Sequence, residues 1–469
     1  MTLDSFAFAF AFLPLVTLVY WVLALRNGRA ASIWLTAASF AFCASTGWRN
    51  VALLGFSAVC NGVLAQQIAS RPEASRRPLL VLGICSNVLF LCVFKYGTAA
   101  TRTVPYFSGL EHVVDLTLPL GVSFYTVQQL MYLVDCREGL VTAHSLREHL
   151  LFVSFFPSVV AGPLTRARPM IPQLDGRARK PPGTEIALGL TAFAIGLFKK
   201  RVIADSLGIL VDLGYASPTS LGHAGAWACS ISYSLQLYFD FSGYSDMALG
   251  AARMLGIEVP VNFDAPFRAR SISEFWRRWH ITLSDFITTY LFTPLLRALG
   301  KATLNKAAFA ILVSMLIAGA WHGPTWNFVA FGGLHGSGLA INQYWKKLKP
   351  FRLPPVLGWL LTMLLVNIAF VFFRAQTLTD ALHVSRLLFP GGGAPAGTLF
   401  ADARLQGILS YLPAWPAAVA IVAWGRPTGR LLKDLRFTVS LAATVVALLL
   451  GGALFMNSNL GRAFVYAGF

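Results

Sequence analysis

Two histidines lie in a stretch that is otherwise too apolar to carry ionisable groups. Residues 307–344 contain no Asp, Glu, Lys or Arg, yet they include His322 and His335. Gly323 and Pro324 follow His322 directly, and proline lacks an N–H and disfavours helical geometry in the residue before it. We therefore expect a helix to end at His322. Broken helices within a membrane are tolerated where they are buried in protein or line a cavity, so His322 is a candidate catalytic residue.

The alternative for His322 is a neutral ring bonded to a nearby carbonyl, with a packing role and no chemistry. For His335 this alternative is the one we expect. The ring lies in "GGLHGSG" (332–338), where small residues indicate close contact between helices.

A third histidine follows an arginine-rich segment, "FRARSISEFWRRWHITLSDF" (267–286). Ser271 and Glu274 have the spacing of a capping box, so a helix is predicted to start at Ser271. At 100° per residue, this helix presents one apolar face, formed by Ile272, Phe275, Trp276, Trp279 and Leu283.

His280 falls at the border of that apolar face, with Arg277 and Ser284 on the same side and Arg278 pointing elsewhere. A helix at the membrane interface with one polar edge aimed inward has this pattern. An ordinary amphipathic surface helix has it too, so the segment alone does not assign chemistry to His280.

Two acidic residues lie in a neighbouring apolar run, "SLQLYFDFSGYSDMALGAARMLGI" (234–257). Acids in a membrane segment face the protein interior and find a partner. Arg277 and Arg278 are possible partners for Asp240 and Asp246, and we expect structural ion pairs. A further segment, "FVSFFPSVVAGPLTRARP" (152–169), is broken by proline and glycine and is expected to be re-entrant.

The composition places these residues in an all-α polytopic membrane protein. Of the 469 residues, 56% are hydrophobic and 12% are charged, whereas soluble domains carry about 25% charged residues. We expect roughly 10 to 13 transmembrane and re-entrant helices, some of them incomplete. The long uncharged runs are 5–25, 30–48, 50–70, 78–94, 116–134, 213–239, 307–345, 353–373, 405–425 and 437–461, with shorter or interrupted ones at 149–165, 186–198 and 286–296. No linker divides them, so residues 1–469 are predicted to form one domain.

The distribution of basic residues predicts the orientation. Arg26 and Arg29 follow the first run, and three arginines at 71–77 follow the third. Cytoplasmic loops are enriched in Lys and Arg, so we expect a periplasmic N-terminus. The net charge of +18 suits contact with membrane lipids, and basic loops could receive an anionic cytosolic donor. The charges form no continuous stripe, which argues against nucleic acid. Neither HxxxH nor HExxH occurs, so no metal site is predicted.

Several segments together resemble the membrane-bound O-acyltransferases, and most closely the bacterial branch that O-acetylates alginate and related polysaccharides. The resemblance covers roughly residues 80–380 in the family's motif order, with residues 1–79 and 405–461 as N-terminal and C-terminal spans. It is carried by "GVSFYTVQQLMYLVDCREG" (121–139), "FFPSVVAGPLTRARPMIPQL" (155–174), "YFDFSGYSDMALGAARMLGI" (238–257), "NFDAPFRARSISEFWRRWHITLS" (262–284), "WHGPTWNFVAFGGLHG" (321–336) and "FFRAQTLTDA" (372–381).

The resemblance implies a ring of tilted helices around a central tunnel and two catalytic histidines. The histidine of the WHG motif maps onto His322, and the second family position maps onto His280. The same motifs supply candidate substrate-binding residues: Arg277, Trp276, Trp279, Asp240, Ser242, Asn262, Trp321, Trp326, Tyr125 and Gln128.

The implied reaction passes an acetyl group from a cytosolic thioester to an exported polysaccharide. Histidine suits the removal of a hydroxyl proton at neutral pH, so His322 is expected to act as general base, while His280 orients the acyl carbonyl or carries the proton. Acetyl-CoA or another acyl thioester would be the donor, with no bound cofactor. The expected partners are a periplasmic acetyltransferase and an acyl carrier protein.

Other functions stay open at this stage. Within the family, D-alanyl transfer and peptidoglycan O-acylation use the same motifs. A transporter of lipid-linked sugars predicts inverted repeats, which the sequence does not contain. A non-enzymatic scaffold of an export complex has no use for a buried His322.

Overall fold

The computed structural model describes residues 1–103, 117–178, 181–349, 351, 353–391, 414–456, 462, 464 and 465. All regular structure in these residues is helical. A π-helical turn at Phe8–Phe12 leads into the four N-terminal helices: α1 (Leu13–Ala24), α2 (Gly28–Ala44), α3 (Trp48–Ser70) and α4 (Glu73–Thr103).

The middle of the chain contains the shorter and more buried helices. They are α5 (Val122–Arg137), α6 (Leu146–Ser154), α7 (Ala167–Met170), α8 (Pro182–Phe198), α9 (Asp205–Ala216) and α10 (His223–Met254). Between α6 and α7 the chain is irregular and almost wholly buried, as the prolines and glycines of the predicted re-entrant segment require.

Paired glycines bring α8 and α10 into backbone contact. A Cβ atom at Gly189 would lie 2.6 Å from the carbonyl oxygen of Gly250, and one at Gly196 would lie 2.5 Å from that of Gly243. Membrane helices associate through small residues that let backbones approach closely. The contact fixes α10, which carries the acidic residues discussed above.

The remaining helices include the one that ends at His322. They are α11 (Ile272–Trp276), α12 (Ile281–Phe286), α13 (Thr293–Ala298), α14 (Leu304–His322), α15 (Trp326–Leu348), α16 (Pro355–Arg374), α17 (Leu378–Leu387), α18 (Ala414–Trp424), α19 (Thr428–Leu431) and α20 (Val439–Met456). Two π-helical turns, Lys199–Ala204 and Ile287–Phe292, join α8 to α9 and α12 to α13. Of the predicted C-terminal spans, 405–413 and 457–461 lie outside the described residues.

Helices α14 and α15 form a hairpin whose tip is the Gly-Pro pair. A Cβ atom at Gly319 would lie 2.3 Å from the carbonyl oxygen of Phe328, and one at Gly332 would lie 2.3 Å from that of Met315. The prediction that the run 307–345 breaks after His322 is therefore confirmed, as is the close helix contact around His335.

The chain is an all-α polytopic membrane protein. Five helices of the described residues are long and apolar enough to cross a membrane: α3, the stretch Glu73–Thr101 of α4, α14, α16 and α20. Large apolar side chains such as Phe56, Leu89 and Leu454 are more than half exposed, which in a soluble protein would be an aggregation liability. The count of 10 to 13 embedded helices stays a prediction, because length and composition identify five.

Candidate active site

His322 is the last residue of α14 and is enclosed by aromatic rings. It is 2% exposed, and its ring centroid lies 4.9 Å from Trp321, 5.1 Å from Phe373 and 5.8 Å from Phe331. The proline rule places this helix end at the hairpin tip, and α16 supplies Phe373 from the other side. The enclosure keeps bulk water away from the imidazole.

Three other titratable side chains lie close to His322. They are Lys95 of α4, His280 and His335. The structure thus brings together the three histidines that the sequence singled out, although they come from separate elements. Lys95 was not among the predicted site residues. Its signal in the sequence was a lysine at the end of the apolar run 78–94, where an ionisable residue is a functional candidate.

His280 is held by a hydrogen-bond arrangement centred on Asn262. The side-chain oxygen of Asn262 accepts hydrogen bonds from the backbone N–H of Thr282 at 3.2 Å and from its hydroxyl at 3.0 Å. His280 Nδ1 lies 3.1 Å from the same oxygen. Because a backbone N–H can only donate, this Asn262 atom is the acceptor oxygen, and His280 Nδ1 must carry the proton. His280 Nε2 is then the nitrogen with the lone pair.

Burial sets the charge of His280. The residue is 1% exposed, and its ring packs edge-on against Phe241 with centroids 4.6 Å apart. Burial lowers the pKa of His280 to about 3, since desolvation disfavours the charged form. The ring is therefore neutral at pH 7 and able to accept a proton.

The prediction of one continuous helix from Ser271 through Leu283 is wrong. The N-cap at Ser271 is confirmed, because its side chain accepts from Glu274 N. The helix then ends at Trp276, and His280 has the left-handed backbone angle φ 43° at the start of α12. Asn262 causes the break, since its backbone oxygen accepts from Ile281 N at 3.0 Å and its side chain from Thr282 N. A non-glycine residue in this conformation costs about 1–3 kcal/mol, and such strain clusters at functional sites.

The arginines of this segment have different surroundings. Arg277 is exposed and lines a cavity of about 470 Å³ together with Trp276, Asp285 and Ser314. Arg278 is ion-paired with Glu274 at 2.7 Å. The cavity places Arg277 where it can meet a ligand, whereas Arg278 has a structural partner.

Trp276 and Trp279, the predicted aromatic neighbours, are both buried. The indole N–H of Trp276 donates to His335 Nδ1 at 3.2 Å. His335 therefore has the expected packing role, but its partner is an indole N–H and not a carbonyl. The ring of Trp279 stacks on Phe275 with centroids 5.5 Å apart and belongs to the core.

The expected partners of Asp240 and Asp246 are wrong. Asp240 lies 2.8 Å from the ammonium of Lys200, and Asp246 lies 2.6 Å from that of Lys199. Both lysines come from the π-helical turn after α8, which the sequence pattern did not connect to α10. The pairs are structural, as expected, but they hold α8 against α10 and not the arginine-rich helix.

The other predicted substrate-binding residues divide by location. Trp321 is next to His322 and contacts its ring. Gln128 donates to the hydroxyl of Thr165 at 2.9 Å and so ties α5 to the irregular segment before α7. Ser242 and Tyr125 are buried, and within the described part of the chain their hydroxyls have no hydrogen-bond partner. Trp326 is 74% exposed and lies outside the aromatic enclosure.

Comparison with known proteins gives a consistent result. A family model described as MBOAT, membrane-bound O-acyltransferase family, matches residues 73–377. A peptidoglycan O-acetyltransferase of Helicobacter pylori is 38% identical over 411 residues, covering 80% of this chain and 77% of that protein. A probable alginate O-acetylase AlgI of Azotobacter vinelandii is 35% identical over 412 residues, covering 84% and 79%. A teichoic acid D-alanyltransferase of Bacillus subtilis is 27% identical over 340 residues, covering 71% and 82%.

Proposed function

Because the chain belongs to the membrane-bound O-acyltransferase family, we propose that it passes acetyl groups from a cytosolic thioester across the membrane to hydroxyls of an exported, alginate-like polysaccharide. The observation that carries the proposal is His322, which lies at a broken helix end inside an aromatic enclosure. A ring sheltered from water at this position suits proton abstraction from an incoming hydroxyl.

The reaction balances with His322 as general base. His322 takes the proton of the acceptor hydroxyl, and the oxygen attacks the thioester carbonyl carbon. The new C–O ester bond forms, the C–S bond breaks, and the leaving thiolate receives the proton from the imidazolium.

The state of His280 favours one of its two expected roles. A ring with the proton on Nδ1, bonded to Asn262, presents a lone pair at Nε2. Such a nitrogen accepts a proton, whereas orienting an acyl carbonyl requires an N–H. We therefore assign His280 to proton transfer, with Asn262 fixing its tautomer.

The donor, acceptor and partners are proposed by analogy with the family. Acetyl-CoA is the proposed donor, with an acyl carrier protein as the alternative, and no bound cofactor is needed. Peptidoglycan is the alternative acceptor, because the relative at 38% identity is named for it. D-alanyl transfer has the weaker support of a relative at 27% identity. The proposed protein partner is a periplasmic acetyltransferase of the same polysaccharide-modification system.

The proposed location is the bacterial inner membrane with the N-terminus on the periplasmic side. The loop between α1 and α2 carries Arg26 and Arg29, and the loop between α3 and α4 carries Arg71. Both loops then face the cytoplasm, as the positive-inside rule prefers. Membrane-impermeant labelling of a cysteine introduced in each loop of intact cells tests this orientation.

The catalytic role of His322 is tested by His322→Ala in proteoliposomes supplied with acetyl-CoA and an outer-face acceptor. We expect normal insertion and a loss of acyl transfer of about 10²–10⁴-fold, the usual contribution of general base catalysis. Free thiol released from acetyl-CoA measures the rate. A variant that keeps more than a tenth of the wild-type rate would contradict the general-base assignment.

The same assay identifies donor and acceptor. Thiol release with acetyl-CoA as the sole donor, in the presence of acceptor, supports acetyl-CoA as the direct donor. Dependence on an added acyl carrier protein supports the carrier protein as donor. Alginate-type oligosaccharide and peptidoglycan fragments, each supplied at the protein's outer face and opposite to acetyl-CoA, are then compared by the ester formed on each.

A further inference from the structure

A contact between two distant helices lies directly behind His322. The ammonium of Lys95 donates to the carbonyl oxygen of Trp321, and the hydroxyl of Tyr96 donates to that of Ala320. We propose that Lys95 and Tyr96 of α4 are positioning residues for His322, which they hold in place through these two carbonyls. The inference rests on the proposed role of His322 as general base.

The end of α14 needs these donors. The last four carbonyls of a helix have no N–H partner within the helix and must be satisfied from outside. The N–H of Gly323 reaches Ala320 at 3.1 Å, but Pro324 has no N–H to offer Trp321. The proline that breaks the helix thus leaves the carbonyl of Trp321, next to His322, without a hydrogen-bond donor at this position of the chain. Lys95 supplies the missing hydrogen bond.

The position of Lys95 is fixed by more than one contact. Its ammonium lies 3.2 Å from the hydroxyl of Ser123 and 5.1 Å from the ring centroid of Trp321. The residue is 7% exposed. A buried lysine in an apolar helix is costly unless it is engaged, and here it engages both the backbone and the indole of one residue. A cation at a helix C-terminus also stabilises the carbonyl dipoles.

Lys95 is linked to catalysis because the residue it contacts, Trp321, directly precedes His322 in the chain. Trp321 and His322 are adjacent, and their rings are 4.9 Å apart. A rotation of the last peptide of α14 would move the imidazole, and a misplacement of 1 Å at a reacting group can cost about 10²-fold in rate. Loss of Lys95 is therefore expected to lower kcat and to leave the KM for the donor unchanged.

Lys95→Met tests the proposal, because methionine keeps most of the length of the side chain and removes the ammonium. Lys306→Met is the matched control, since the Lys306 ammonium also donates to a helix-end carbonyl, that of Leu299 at 2.6 Å, but near the start of α14. We expect kcat to fall at least tenfold in Lys95→Met, with KM within about twofold, and both to be retained in Lys306→Met. Lys95→Arg, which keeps a cationic donor, is expected to recover part of kcat.

Normal kcat in Lys95→Met, or an equal loss in Lys306→Met, would overturn the inference. Folding is checked by size-exclusion chromatography. If Lys95→Met does not fold, Tyr96→Phe decides, because it removes one hydroxyl and keeps the ring. A loss of about threefold or more in its kcat supports the positioning role of Lys95 and Tyr96, and a wild-type kcat rejects it.

A double variant separates this inference from the proposed function. In a His322→Ala background, Lys95→Met should cause no further loss, since its effect passes through His322. A further loss there means that Lys95 acts independently of His322, which contradicts the inference. If instead His322→Ala alone keeps its activity, the general-base assignment on which this inference rests fails first, and if the wild-type protein transfers no acyl group, the proposed function itself fails.

Discussion

At the scale of single residues, Asn262 decides which chemistry His280 can perform. One amide oxygen accepts from two groups of Thr282 and faces His280 Nδ1, so the tautomer is set by a residue that does not touch substrate. Such supporting partners are known to tune functional histidines. The ring that results is neutral and carries its lone pair at Nε2.

Replacement of the Asn262 amide by a carboxylate is expected to change the pH dependence of acyl transfer. In Asn262→Asp, the negative charge beside Nδ1 stabilises the imidazolium and raises the pKa of His280 from its depressed value. Nε2 is then protonated over a wider range of low pH and cannot accept a proton. The acidic limb of the kcat profile should therefore move to higher pH, as measured by thiol release between pH 5 and 8.

Asn305→Asp is the control, because Asn305 lies at the start of α14 and accepts from Tyr344. It should have the wild-type profile. An Asn262→Asp profile that superimposes on that of the wild type would show that His280 does not take part in proton transfer.

At the scale of elements, the hairpin of α14 and α15 depends on the absence of side chains at its crossing. Gly332 lies where a Cβ atom would be 2.3 Å from the backbone oxygen of Met315, whereas at the adjacent Gly333 the nearest atom would be 3.7 Å away, on Leu316. The two neighbouring glycines therefore form a matched pair for mutation.

Gly332→Ala is expected to separate the two helices and to displace the rings that α15 places around His322. The yield of folded protein and the acyl transfer per folded molecule should both fall. Gly333→Ala should keep both within about twofold, since its methyl group makes an ordinary contact. Size-exclusion yield and thiol release measure the two quantities, and equal behaviour of the two variants would refute the crossing argument.

The elements also explain which features the sequence could predict. The break after His322 follows from a local rule about proline, and the start of α11 at Ser271 follows from a local cap, so both were predictable. The end of α11 was not, because it is imposed by Asn262 from outside the segment. The same limit applies to Asp240 and Asp246, whose lysine partners are brought near by the glycine contact between α8 and α10.

At the scale of the whole molecule, a buried ion network joins remote parts of the chain. Lys200 pairs with Asp205 at 2.7 Å and with Asp240 at 2.8 Å, and its ammonium also donates to the carbonyl of Arg462 at 3.0 Å. Arg201 extends the network to Asp4 at 3.0 Å. The side chains of Lys200, Asp205 and Asp240 are at most 2% exposed, so the network belongs to the interior.

Lys200→Met should lower the stability of the protein more than the removal of any exposed charge does. Removing one partner of a buried pair leaves uncompensated charge and costs about 3–5 kcal/mol. Arg426→Met is the control, because Arg426 and Asp434 are exposed and 4.0 Å apart, and such pairs contribute little. Thermal unfolding in detergent measures the difference. An unchanged thermal unfolding midpoint in Lys200→Met would contradict the structural role of this network. Asp240 would then again be a candidate for substrate binding.

The same network has a consequence for biosynthesis. Lys200, Asp205 and Asp240 leave the ribosome well before the segment that contains Arg462 and Val465, whose backbone groups bond to Lys200 and Asp240. Until that segment is translated, the charged cluster lacks two of its hydrogen bonds while it is already being delivered to the lipid bilayer. A chain interrupted in this interval therefore holds buried charges whose hydrogen bonds are incomplete, and such groups are costly in a bilayer.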